Sequence, residues 1–194
     1  HHPDEERPAC RPLRTFPCYE KLQKLGAQFG QVNGWERPNY FADIEFNDKE
    51  SRSFRRGSWW VHTKTEAEAI RQNVGLIDIS AFTKHIVKGP GATRFLDWFT
   101  CNKLPRVDRI NLTYALTPTG TVRSEYTILR MDANEYYLIS TGALTDYDQD
   151  YLIKNAEDKQ EEFGYIEIQD VTSQFGAFAV AGPQSKKFLQ DIVK

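Results

Sequence analysis

A short phrase occurs twice in this chain. One copy reads His85-Ile86-Val87-Lys88-Gly89-Pro90-Gly91-Ala92-Thr93-Arg94-Phe95-Leu96. The other reads Phe178-Ala179-Val180-Ala181-Gly182-Pro183-Gln184-Ser185-Lys186-Lys187-Phe188-Leu189. Each is an apolar run, then Gly-Pro, then Phe-Leu at the same offset. That pattern predicts a strand, a sharp turn, and a helix whose start tolerates Pro because its N–H has no partner there. Two such units imply one domain built around two similar crossings. The second helix has barely begun at Lys194, so a piece of a larger protein is expected.

At 194 residues the chain is long enough for a real core. Its 40% hydrophobic and 27% charged residues are those of a globular protein. A net charge of −2 steers it neither to nucleic acid nor to an anionic membrane. No apolar run nears the ~20 residues that span a bilayer. Cys10, Cys18 and Cys101 fit no zinc template, and an odd count argues against a disulfide framework. They are read as reduced thiols of a bacterial cytoplasm or a mitochondrial matrix. The four histidines do not cluster, so no metal is expected. The opening His1-His2 is either native or the remnant of a tag.

Residues 1–18 are rich in Pro and Arg, and they predict a strap lying on a larger body. Tyr19, Leu22 and Leu25 recur at helical spacing before Gly26. Residues 29–41 are dense in Gly and aromatics and predict a loop, either packed or forming a contact surface. Thr65 and Glu68 form a capping box for a helix over 66–73 that stops at Gly75. Strands are expected at 76–80 and 84–88. A helix is expected at 93–99 with Phe95, Leu96 and Phe99 inward. Residues 112–117, 122–131 and 136–141 predict an antiparallel meander. A helix capped by Thr145 over 146–155 and further strands at 165–168 and 178–180 complete an α+β fold of antiparallel sheets with packed helices.

Glu125 sits in mid-strand. Alternation puts it on one face with Arg123, Thr127 and Leu129, and puts Tyr126 and Ile128 on the other. It either lies on a solvated face, paired to Arg123 or a neighbouring strand, or points into a pocket where it moves protons. Alternation alone leaves both open.

The stretch Val74-Gly75-Leu76-Ile77-Asp78-Ile79-Ser80-Ala81-Phe82-Thr83-Lys84, the first Gly-Pro phrase, Leu116-Thr117-Pro118-Thr119-Gly120-Thr121-Val122 and Val180-Ala181-Gly182-Pro183-Gln184 together resemble the folate-binding aminomethyltransferase family typified by the glycine-cleavage T-protein. They cover residues 66–194. Upstream, Arg11-Pro12-Leu13-Arg14-Thr15, Gly26-Ala27, Phe29-Gly30 and Gly34-Trp35-Glu36-Arg37-Pro38-Asn39-Tyr40-Phe41 resemble the connector of dimethylglycine and sarcosine dehydrogenases. The resemblance implies residues 1–65 as connector and 66–194 as the N-terminal part of a T-protein-like domain, incomplete here.

It implies a parent with a flavin domain, absent from this chain, that binds FAD and oxidises an N-methylated glycine. Tetrahydrofolate would then capture the one-carbon unit. T-proteins place an Asp pair at Ser124-Glu125, which makes Glu125 the expected catalytic carboxylate, its arm longer by about a bond length. Leu112, Thr127 and Thr141 are expected near the pterin, with Tyr114 a looser neighbour. Ser80-Ala81-Phe82-Thr83 departs from the Ser-His-Met-Gly of T-proteins and points to the dehydrogenase branch. A carboxylate suits this chemistry, because a folate nitrogen sheds a proton as it attacks. The alternatives are a stand-alone aminomethyl or methyl transferase and a non-catalytic regulatory relative.

Overall fold

A computed structural model describes residues 8–43 and 55–193. His1-His2-Pro3, Arg7 and the polar stretch 44–54 lie outside the described residues. The elements in chain order are α1 (Tyr19–Lys24), β1 (Ala27–Val32), β2 (Trp35–Phe41), α2 (Trp59–Gln72), β3 (Gly75–Asp78), β4 (Thr83–Lys88) and α3 (Ala92–Phe99). Then follow β5 (Arg109–Leu116), β6 (Val122–Asp132), β7 (Glu135–Ser140), α4 (Thr145–Phe163), β8 (Glu167–Asp170), β9 (Phe178–Ala181) and α5 (Ser185–Ile192). The expected α+β class with antiparallel sheets is present: each ladder between the strands named above is antiparallel. The chain forms two compact units, residues 82–175 and residues 1–81 with 176–194.

In the unit of residues 82–175, five strands pair in the order β5-β6-β7-β4-β8. One sheet face carries α3 and α4. There Val87, Phe95, Leu96, Tyr126, Leu138 and Leu152 are wholly buried. Burying each such side chain contributes roughly 1.5–3 kcal/mol, which locks the faces of the central strands. On the other face, residues after β8 lap over β4. Lys84 N–H donates to Thr172 Oγ1 at 3.0 Å, and Phe175 meets the Tyr137 ring edge-on. The β5–β6 side of that face stays open, with Ile110, Leu112 and Val122 exposed.

His85 is buried on the helix side. Burial lowers its pKa, against the opposing pull of the Asp170 and Asp148 charges and the Gln149 side chain. The unfolded chain therefore takes up the proton first as pH falls below about 6.5.

In the other unit, β3 pairs with β9 and β1 with β2. The expected loop at 29–41 is instead most of this second pairing, a hairpin. Asn33 and Gly34 both hold positive φ (52° and 83°), the turn that matches strand twist. The strap of residues 8–16 lies on it. Arg14 N–H donates to Gly34 O and Glu36 N–H donates to Arg14 O, both at 2.9 Å. Arg11 forks onto Glu36 at 2.9 and 2.6 Å, where Glu36 is 2% exposed.

The Gly-Pro phrase recurs with the same backbone bonds, once in each compact unit. Gly89 and Gly182 hold φ of 121° and 120°. A Cβ at Gly89 would meet Tyr165 O at 2.6 Å, and one at Gly182 would meet Asn73 O at 2.4 Å, so only glycine fits. Gly91 N–H donates to Tyr165 O and Gln184 N–H to Asn73 O, both at 3.0 Å. Each Pro precedes the helix rather than opening it, since α3 begins at Ala92 and α5 at Ser185.

Two helices differ from expectation. No capping box forms at Thr65, because α2 starts at Trp59. Thr65 lies in mid-helix and bonds back to Val61 O at 3.0 Å, while Glu66 accepts the Phe41 N–H. The helix ends at Gln72, before Gly75. α4 runs to Phe163, well past 155, and Thr145 lies within it without capping it. Its buried stripe is Asp148, Leu152 and Ala156, with Tyr147 outside it.

Arg11→Ala leaves Glu36 charged, buried and unpaired in that fork, and is expected to cost about 3–5 kcal/mol in urea unfolding. Wild type is expected to lose stability faster than His85→Gln between about pH 7 and pH 5, because only wild type carries the depressed imidazole. Parallel stability curves for the two proteins would reject that assignment.

Candidate functional site

The candidate site is built on β5, β6 and β7. Across the first ladder Tyr114 stands opposite Glu125 and Leu112 opposite Thr127. Across the second, Thr127 stands opposite Ile139 and Leu129 opposite Tyr137. Counting on from those pairs, Thr141, just past β7 in extended backbone, falls opposite Glu125. The five residues singled out from the sequence thus occupy two adjacent cross-strand rows on one sheet face. One row is Leu112 and Thr127; the other is Tyr114, Glu125 and Thr141.

Burial on the helix side decides which face this is. Tyr126 and Ile128 are wholly buried, so their neighbours Glu125 and Thr127 must point away from the helices. Glu125 is exposed and Thr127 half-buried. Of the two options left by alternation, the structure shows the exposed face, with the Tyr114 hydroxyl as the neighbour of Glu125. The carboxylate raises the Tyr114 phenol above its ordinary value, first through the side-chain hydrogen bond and then through its charge. Leu112 supplies an exposed apolar surface beside the pair. Thr141 accepts the Ala143 N–H through Oγ1, and its carbonyl accepts from Thr83 Oγ1 at 3.2 Å. It is therefore already engaged in turning the chain into α4.

The edge of the site is tied down locally. Around Pro118-Thr119-Gly120, Thr117 Oγ1 lies 2.9 Å from Thr119 Oγ1 and 2.7 Å from Thr121 Oγ1. Gly120 holds φ 81° there. Asn102 Nδ2 donates to Leu112 O at 2.9 Å, and Cys101 N–H donates to Tyr114 O at 2.9 Å, so an exposed thiol sits on the same edge.

Arg123 does not pair with Glu125. The ladder steps from Ala115 opposite Ser124 to Leu116 opposite Val122, which leaves Arg123 as an extra residue in a bulge. Its guanidinium turns to the buried Asp148 of α4, with Nη1 3.2 Å from Oδ1. The sequence held both residues, but 25 positions apart, with no local signal to join them.

Among the described residues no group of three or more His, Cys, Asp or Glu could hold a metal ion. No described helix is long and apolar enough to cross a membrane.

The model of the GCVT N-terminal domain family matches residues 18–194. The dimethylglycine dehydrogenase of Mus musculus mitochondria is 33% identical over 98% of this chain and 22% of its own length. An aminomethyltransferase of Listeria monocytogenes is 27% identical over 91% of this chain and 42% of its own. Among solved structures, the glycine cleavage system aminomethyltransferase T of Bartonella henselae superposes with a TM-score of 0.70 at 23% identity, covering 92% of this chain and 43% of that one. The chain thus spans less than half the length of these relatives.

Replacing Glu125 by Gln removes the charge that holds the Tyr114 phenol up. The Tyr114 titration, followed by carbon NMR of labelled tyrosine, is expected to fall toward about 10. No movement would mean that the two side chains are not coupled.

Proposed function

The chain belongs to the GCVT N-terminal domain family, and from that premise we propose that it is the folate-binding segment of a flavin-dependent N-methylglycine dehydrogenase, acting on dimethylglycine or sarcosine. In this reading residues 1–65 connect a flavin domain of the parent to the folate-binding portion at 66–194. The one-carbon unit leaves the oxidised amine and is captured on tetrahydrofolate. The setting is a bacterial cytoplasm or a mitochondrial matrix, with neither nucleic acid nor membrane as partner.

The observation that carries this reading is the Tyr114–Glu125 pair beside exposed Leu112 on an open sheet face. The donor set fits a folate. A carboxylate accepts from ring N–H groups, and an apolar surface takes a flat ring. Leu112, Thr127 and Thr141 would line the ring, and Tyr114 would border it. When bound, tetrahydrofolate supplies the nitrogens that take up the one-carbon unit. Glu125 accepts a proton through a carboxylate oxygen from the N–H that faces it, and its charge favours a cationic electrophile nearby. Tyr114 stands across the ladder from the carboxylate. FAD is assigned to the flavin domain of the parent and to no residue of this chain.

The match to an aminomethyltransferase over 91% of this chain supports a second reading, a transferase without a flavin domain. Residues before 66 do not separate the two readings, because the family model already begins at residue 18. The higher identity to the dehydrogenase favours the first, as does Glu in place of the Asp of T-proteins.

Calorimetric titration of a stable reduced folate into the full-length protein tests the proposed site. Glu125→Ala is expected to weaken binding at least tenfold, about 1.4 kcal/mol, and to leave amine oxidation intact. Equal loss of both activities would remove Glu125 from the folate site. A folded protein that binds no folate would be the non-catalytic relative.

A further inference from the structure

The bulge in β6 lies two residues from Glu125. Because side chains alternate with period two, a slip of one residue there would turn every side chain on one side of it to the other face. Something must hold the bulge at Arg123, and the contacts converge on that residue. Its Nη1 lies 3.2 Å from Asp148 Oδ1 and donates to Ser124 Oγ at 3.2 Å. Its Nη2 donates to Tyr147 O at 3.1 Å. Ser124 Oγ donates to the same Asp148 oxygen at 2.5 Å. The guanidinium carbon lies 3.2 Å from the Tyr147 ring centre and 4.7 Å from that of Tyr151. From the same helix, the Tyr151 hydroxyl donates to Leu116 O at 3.3 Å, on the β5 side of the register shift. α4 therefore grips both strands where their pairing changes step.

The pair is well shielded, with Arg123 9% exposed and Asp148 not exposed at all. Asp148 sits near the N-terminus of α4, where the helix dipole favours an anion. A shielded pair with this geometry is weak evidence for stability alone and better suited to fixing one arrangement among several.

We propose that Arg123 is a positioning residue: clamped by Asp148, Tyr147 and Tyr151, it fixes the bulge and with it the register that sets Glu125 opposite Tyr114. The consequence for function rests on the reading of Glu125 as the carboxylate of the folate site. The clamp itself does not.

The test compares two tyrosines of one sheet in the full-length protein, using labelled tyrosine and carbon NMR, with Tyr114→Phe for assignment. Tyr114 is held up by Glu125, while Tyr137 is raised by burial alone, four residues further along the β6 ladder. In Arg123→Met the Tyr114 titration is expected to fall toward its ordinary value while that of Tyr137 stays put. Arg123→Lys keeps the charge but not the planar fork, and is expected to fall part of the way. If Arg123→Met fails to fold, the double variant Arg123→Met with Asp148→Asn avoids a buried unpaired charge and answers the same question. An unmoved Tyr114 in a folded variant overturns the proposal. So does an equal shift of both tyrosines, which would mean general loosening. Where wild type binds the reduced folate, Arg123→Met should weaken that binding about tenfold. A wild type that binds none ends the folate reading, and the tyrosine titration still decides the clamp.

Discussion

In β6 the buried side chains Tyr126 and Ile128 sit under two helices, and the residues between them have nowhere to go but the opposite face. The chemistry described above depends on that packing. It fixes which way Glu125 points, and the ladders on either side fix what stands beside it. Hydrophobic burial, which carries no chemical information, thereby sets the address of the one carboxylate proposed to act. The cost of moving that carboxylate to the wrong face is the cost of exposing the core, so its placement is robust to almost any change on the open side.

The two Gly-Pro turns show a different kind of determination. Both glycines take the same backbone angle, and both following segments donate to a carbonyl of a distant element. Yet Phe95, Leu96 and Phe99 of α3 are buried, whereas α5 buries no residue. The turn geometry is thus set by close approach of a distant backbone to a residue without a side chain.

Local and periodic features were legible in the sequence. The meander over β5, β6 and β7, the inward residues of α3 and the shared face of Glu125 and Thr127 all follow from alternation or helical spacing. The hairpin at 27–41 was hidden because its aromatics and Pro38 mask the alternation, although Asn33-Gly34 was the signal to follow. The start of α2 was misplaced because Thr65 and Glu68 imitate a cap in mid-helix. Arg123 could not have been placed, since the bulge that redirects it is a property of three elements brought together. Periodicity assigned it to the face of Glu125, and one unpaired residue reversed that.

The openness of the face on which Glu125 lies has an electrostatic meaning. Two unit charges about 4 Å apart interact by about 1 kcal/mol in water and by about 4 kcal/mol at the effective dielectric constant of roughly 20 found near protein surfaces. An exposed carboxylate works near the first limit. The same residue beneath a bound planar molecule, or beneath another part of a longer chain, works nearer the second. The strength of this charge is therefore not a property of Glu125 alone. It is conferred by whatever excludes water from the sheet, so the group that needs the charge can also be the one that switches it on.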